Sequence, residues 1–180
     1  MTTDLILILD AASFAADKHR RQRRKDAEAS PYINHPLALA DILAREGGVE
    51  DAKVIAAALL HDTVEDTETS ISELEVRFGK RVAGIVAEVT DDKTLPKDER
   101  KRLQIAKSAS KSTGAKLVKL ADKIANLRDL TSAPPAEWSA DRKMAYFEWA
   151  KEVVEGLRGV NPALEAAFDE AYQRGMTSAL

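Results

Sequence analysis

The chain of 180 residues carries 27 Lys and Arg against 30 Asp and Glu, a formal net charge of −3, and has no cysteine. That length suits one domain with a sizeable core, while the missing cysteines exclude disulfides and thiolate metal sites and point to a reducing, cytoplasmic setting. The acidic balance argues against a general nucleic-acid binder. No apolar run approaches membrane-spanning length, and the run from Leu5 to Leu9 is too short, and lacks the basic residues before it, for a secretory signal.

Taken in order, the pattern predicts a first helix from about Asp4 to Lys18, with Leu5, Leu9, Ala12 and Ala16 along one face. The stretch from His19 to Lys25 follows, in which five of seven residues are Lys or Arg, and then a polar loop to Pro31. A second helix enters at Pro31 to Pro36, with Asn34 as a cap and Pro36 in the first turn, and runs to Gly47-Gly48. The third, from about Asp51, runs through an apolar stretch into His61, Asp62, Glu65 and Asp66. If that helix is continuous, His61 and Glu65 share one stripe, and Asp62 and Asp66 the next, about 100° round.

Beyond Thr69, Ser70 and Glu73 have capping-box spacing, and Leu74, Val76 and Phe78 lead to a stop at Gly79. Further helices are expected over 81–90, 97–107 (strongly charged), 115–130 (apolar at helical spacing), 138–157 and 162–174, separated by polar or proline-containing breaks. Strand signals are scarce, so the expected fold class is all-α, in one compact domain without internal repeats.

A histidine and three carboxylates packed into six positions at the end of an apolar run need a counter-charge, and a divalent cation is the simplest. His35 sits at another helix entry, and Asp122 lies inside an apolar helix with Asn126 one turn on. Two imidazoles and two carboxylates from three helices would make a mixed nitrogen and oxygen site suited to Mn²⁺, Fe²⁺ or Zn²⁺. The plainer alternatives are a satisfied core histidine at 61 and an Asp122 paired with a lysine or arginine.

The order His35, His61-Asp62, Asp122 resembles the HD superfamily of metal-dependent phosphohydrolases. The strings from Tyr32 to Pro36, Ala58 to Thr67 and Val118 to Arg128 are similar to the hydrolase domain of the RelA/SpoT alarmone enzymes, and most like the standalone small hydrolases of the metazoan SpoT-homologue type. The likeness covers about residues 5–175. It implies an HD-type helical bundle over 1–180 that removes the 3′-pyrophosphate from ppGpp and pppGpp with Mn²⁺, without the synthetase or regulatory domains of the long enzymes. It also implies His35, His61, Asp62 and Asp122 as metal ligands and Glu65 and Asp66 as the acidic pair handling the attacking water.

On the substrate side, Arg24 and Lys25 match the family position where a cation contacts the nucleotide, while Arg20, Arg21 and Arg23 read as solvated surface. Asn126 fits a neutral hydrogen-bonding role towards ribose or phosphate, and Lys97 a phosphate contact. Trp138, Arg142 and Tyr146, four residues apart, form one stripe that either lines a nucleotide pocket or edges ordinary packing. Two departures from the long enzymes, a longer loop between Lys25 and Pro31 and Asp129 where they tend to have Thr, bear on base preference. A phosphatase for another nucleotide with a ribose 2′- or 3′-phosphate, such as NADPH, and a non-catalytic alarmone sensor are the competing readings. The oligomeric state is not legible.

Overall fold

The computed structural model describes residues 2–179 and contains helices and no strand among them. The helices are α1 (Thr2–Lys18), α2 (Asn34–Asp41) continued by a π-helical turn (Ile42–Glu46), α3 (Ala52–Leu60), α4 (Thr63–Asp66), α5 (Ile71–Phe78), α6 (Lys80–Val89), α7 (Lys97–Ser108), α8 (Thr113–Ser132), α9 (Ala140–Glu155) and α10 (Pro162–Ala179). The expected all-α fold class is what the described residues form.

Two helices make the centre. Every residue of α3 except Lys53 is buried, and α8 buries a face from Ala115 to Leu130, so α1, α2 and α6 gather on α3 while α10 and α9 pack on α8. Such a helix can exist only inside the bundle, since its apolar surface runs all round it. Side-chain caps set the starts: Asp51 accepts from the Lys53 N–H at 3.0 Å, Ser70 from Glu73 at 3.1 Å, Ser112 from Ala115 at 3.3 Å and Ser139 from Arg142 at 3.3 Å. Gly79, at φ +86°, turns the chain between α5 and α6.

Four local expectations change. The buried face of α1 is Ala11, Phe14 and Ala15, with Leu7, Ile8 and Ala12 beside it, whereas Leu5 and Leu9 are more than half exposed. The apolar run surrounds the helix, so spacing admits two stripes. Phe14, in edge contact with Phe78 at 5.4 Å, selects the one that faces α3 and α5. Val76 is likewise exposed, because α5 buries only Leu74 and Phe78. Asn34 is the first residue of α2 and not its cap; Ile33 holds that position without a side-chain bond. Finally, α3 stops at Leu60: the Thr63 hydroxyl donates to the Leu60 carbonyl at 2.7 Å and Asp62 opens to φ −100°, ψ −2°, so His61 and Asp62 form a kink before α4.

Candidate metal centre and active site

The kink at 61–62 turns two side chains towards the start of α2. Ligand atoms of His35, His61 and Asp62 lie within 4.8 Å of one another, and both imidazoles are buried. Asp122, from the middle of α8, abuts this trio: its Oδ1 is 3.3 Å from His35 Nε2. Asn126 donates to the same carboxylate at 2.6 Å, which is the one-turn relationship expected from spacing.

Two features fit a cation. His61 donates from Nδ1 to the Ala58 carbonyl at 2.8 Å, and this fixes the lone pair on Nε2. That Nε2 is buried without a hydrogen-bond partner although Asp62 Oδ2 is 2.9 Å away; the two face a common space instead of bonding in line. His35 faces Asp122 with its Nε2. An unpaired polar atom in the interior is costly, and a metal ligated by nitrogen and oxygen atoms would satisfy this donor set.

The electrostatics are those of a coupled cluster. Burial disfavours charge on Asp62, but adjoining His61 outweighs it and holds the carboxyl well below its usual range. Burial likewise opposes a charge on His61, and Asp62 overcomes this and raises the imidazole. His35 is lowered, chiefly by burial and against the pull of Asp122. Asp122 is held far down despite its burial, by Lys123 first and then by His35 and Lys119. The lysine partner weighed for Asp122 is therefore present together with the histidine: Lys123 Nζ is 3.3 Å and Lys119 Nζ 4.0 Å from its Oδ2.

Glu65 and Asp66 flank the cluster on α4. Burial raises the Glu65 carboxyl, and the Asp91 N–H, donating at 3.1 Å, works against that. Asp66 accepts from Gln22 at 2.9 Å and from Lys93. Tyr32 donates to Asp62.

A cavity of about 510 Å³ opens beside Asp66, its lining including Arg24, Lys25, Asn126, Asp129 and Tyr146 but not Glu65. Arg24 donates to Asp129 at 2.5 Å, and both line the cavity. Of the aromatic stripe, Trp138 and Tyr146 line the cavity in edge contact at 5.8 Å, while the Arg142 guanidinium lies over the Trp138 ring at 4.3 Å and outside the lining. Lys97 also lies outside it, exposed at the start of α7. Tyr32, Gln22, Lys119 and Lys123 were given no role by sequence reasoning. For the lysines the signal was there: ammonium groups three residues before and one after a carboxylate on an apolar helix.

Comparison with known proteins identifies the family. Residues 11–146 match the HD domain family. The chain is 59% identical over 172 residues to the guanosine-3′,5′-bis(diphosphate) 3′-pyrophosphohydrolase MESH1 of Xenopus tropicalis, covering 96% of each chain. It is 57% identical over 178 residues to the protein of that name from Homo sapiens, covering 98% of this chain and 99% of that one. A solved structure described as a metazoan orthologue of SpoT that hydrolyses ppGpp superposes with a TM-score of 0.91 at 49% identity, covering 97% of both chains. This chain belongs to the HD domain family, on the branch formed by the MESH1 proteins.

Proposed function

We propose that residues 1–180 act as one HD-type phosphohydrolase domain that removes the 3′-pyrophosphate of ppGpp and pppGpp, using Mn²⁺, in the cytoplasm. The observation that carries this reading is the trio of buried His35 and His61 with partly buried Asp62, Asp122 against it, beside a cavity lined in part by Arg24 and Lys25. His35, His61, Asp62 and Asp122 would hold the cation. When bound, it supplies Lewis acidity, easing deprotonation of water and offsetting charge on the phosphoryl oxygens.

The protein's own groups do the remainder. Glu65 and Asp66 orient a water towards the phosphorus joined to the ribose 3′-oxygen and accept its proton. The bond from that phosphorus to the 3′-oxygen breaks, the oxygen takes up a proton, and GDP or GTP leaves with pyrophosphate. Arg24 and Lys25 face the anionic nucleotide from the cavity edge, and the Arg fork suits phosphate. Asn126 offers an amide towards ribose or phosphate from its place in the lining, and Tyr146 gives an apolar wall. Lys97 and Arg142 reach phosphate in this reading only from outside the cavity.

The test is pyrophosphate release from ppGpp by purified protein with Mn²⁺, with and without chelator. Release that chelator abolishes is expected; none from the metal-loaded protein overturns the reading. A higher kcat/KM for phosphate release from NADPH reassigns the substrate.

A further inference from the structure

His19 is the histidine outside the metal cluster, yet it is 2% exposed. Its Nδ1 is 2.7 Å from Gln22 Oε1, and Gln22 Nε2 donates to Asp66 Oδ2 at 2.9 Å. The His19 ring packs on Tyr32, centroids 4.8 Å apart, and the Tyr32 backbone N–H donates to the Gln22 carbonyl at 3.2 Å. The other Asp66 oxygen takes the Lys93 ammonium, whose side chain is half exposed.

The chemistry gives this chain one direction. An ionised carboxylate only accepts, so Gln22 must turn its NH₂ to Asp66 and its oxygen to His19. The hydrogen of His19 must then sit on Nδ1. Its Nε2, buried with no partner, is left as the acceptor nitrogen, and Nδ1 is the ring atom that ties His19 to Gln22. The amide is thus locked in the one orientation that presents a donor to Asp66.

We propose that Gln22 is a positioning residue for Asp66, with buried His19 fixing which end of its amide faces the carboxylate. The proposal rests on the reading that Asp66 handles the attacking water. A carboxylate on a four-residue helix at a cavity edge has other rotamers open to it, and proton acceptance requires one of them. Gln22, tied to the interior through His19, restricts the choice at Oδ2, while half-exposed Lys93 takes Oδ1.

The experiment measures ppGpp turnover by Mn²⁺-loaded Gln22→Met, Gln22→Glu, Asp66→Asn and the Gln22→Met/Asp66→Asn double variant. Mn²⁺ affinity and melting temperature are measured on each. Both Gln22 variants are expected to lower kcat by about 10- to 100-fold with KM within about twofold, at unchanged Mn²⁺ affinity. Gln22→Met should have no further effect on the residual turnover of Asp66→Asn. His19→Asn, which can place an N–H where Nδ1 was, should keep more kcat than His19→Leu. Full turnover by Asp66→Asn strikes down the role given to Asp66. Loss in Asp66→Asn with unmodified kcat in both Gln22 variants overturns the role of Gln22 alone. So does a Gln22→Met loss repeated in the Asp66→Asn background, or one that tracks weakened Mn²⁺ binding. Equal activity of the two His19 variants removes His19 from the device.

Discussion

Tyr32 donates its phenolic hydrogen to Oδ2 of Asp62, the same oxygen that lies 2.9 Å from His61 Nε2. The hydroxyl therefore aims the carboxylate, leaving its remaining electron pairs for a cation. Groups that orient a ligand in this way commonly contribute 10- to 100-fold in metal affinity. Tyr32→Phe is expected to weaken Mn²⁺ binding about tenfold without unfolding the protein, as read by calorimetric titration. Unchanged affinity would show that Asp62 needs no such support.

Proton and cation compete for His61. Its imidazole is raised, because Asp62 outweighs burial, so the proton persists above the ordinary value of about 6.5. Metal binding must displace it, so affinity falls as pH drops and recovers as pH climbs through the raised value. Apparent Mn²⁺ affinity should still be increasing above pH of about 6.5, by at most about tenfold per pH unit for a single proton. A plateau already reached below that value would contradict the prediction.

Gly175 on α10 lets Phe147 of α9 lie against its backbone: a Cβ there would fall 2.0 Å from Phe147 Cε1. Phe147 is 1% exposed and has no room to retreat. Gly175→Ala should destabilise the fold by about 1–3 kcal/mol in chemical denaturation, the range of overpacking. A neutral effect would mean that α9 and α10 slide apart easily.

The Arg24–Asp129 pair puts a carboxylate beside the cation that faces the nucleotide. Asp129 is half exposed, so the pair is worth little energetically, yet substrate phosphate must compete with it. Asp129→Asn is expected to lower KM for ppGpp about two- to fivefold with kcat unchanged. An increase in KM would assign Asp129 a direct contact with the substrate instead.

Several features were legible because they are local. The charged helix expected over 97–107 and the apolar one expected over 115–130, the second from its periodicity, are found as Lys97–Ser108 and Thr113–Ser132, and Asp122 with Asn126 follows from one helical turn. The stripe on α1 was not, because Leu5, Ile6, Leu7, Ile8 and Leu9 are apolar in every direction and the choice of face belongs to Phe14 and its partner Phe78. Nor was the break after Leu60, where a threonine hydroxyl takes the carbonyl of the helix end and Asp62 leaves the regular helical dihedrals.

By itself the sequence determined an all-α chain, most of its helices apart from the break between α3 and α4, and a short roster of imidazoles and carboxylates suited to a divalent ion. Only the tertiary structure decided that His35, His61 and Asp62 come within 4.8 Å, that Asp122 abuts His35, and that a glutamine held by a buried histidine grips Asp66. The physical reason is range. A helical repeat fixes neighbours three and four residues apart, whereas distances between helices are set by how α1, α2 and α8 pack on the apolar surface of α3.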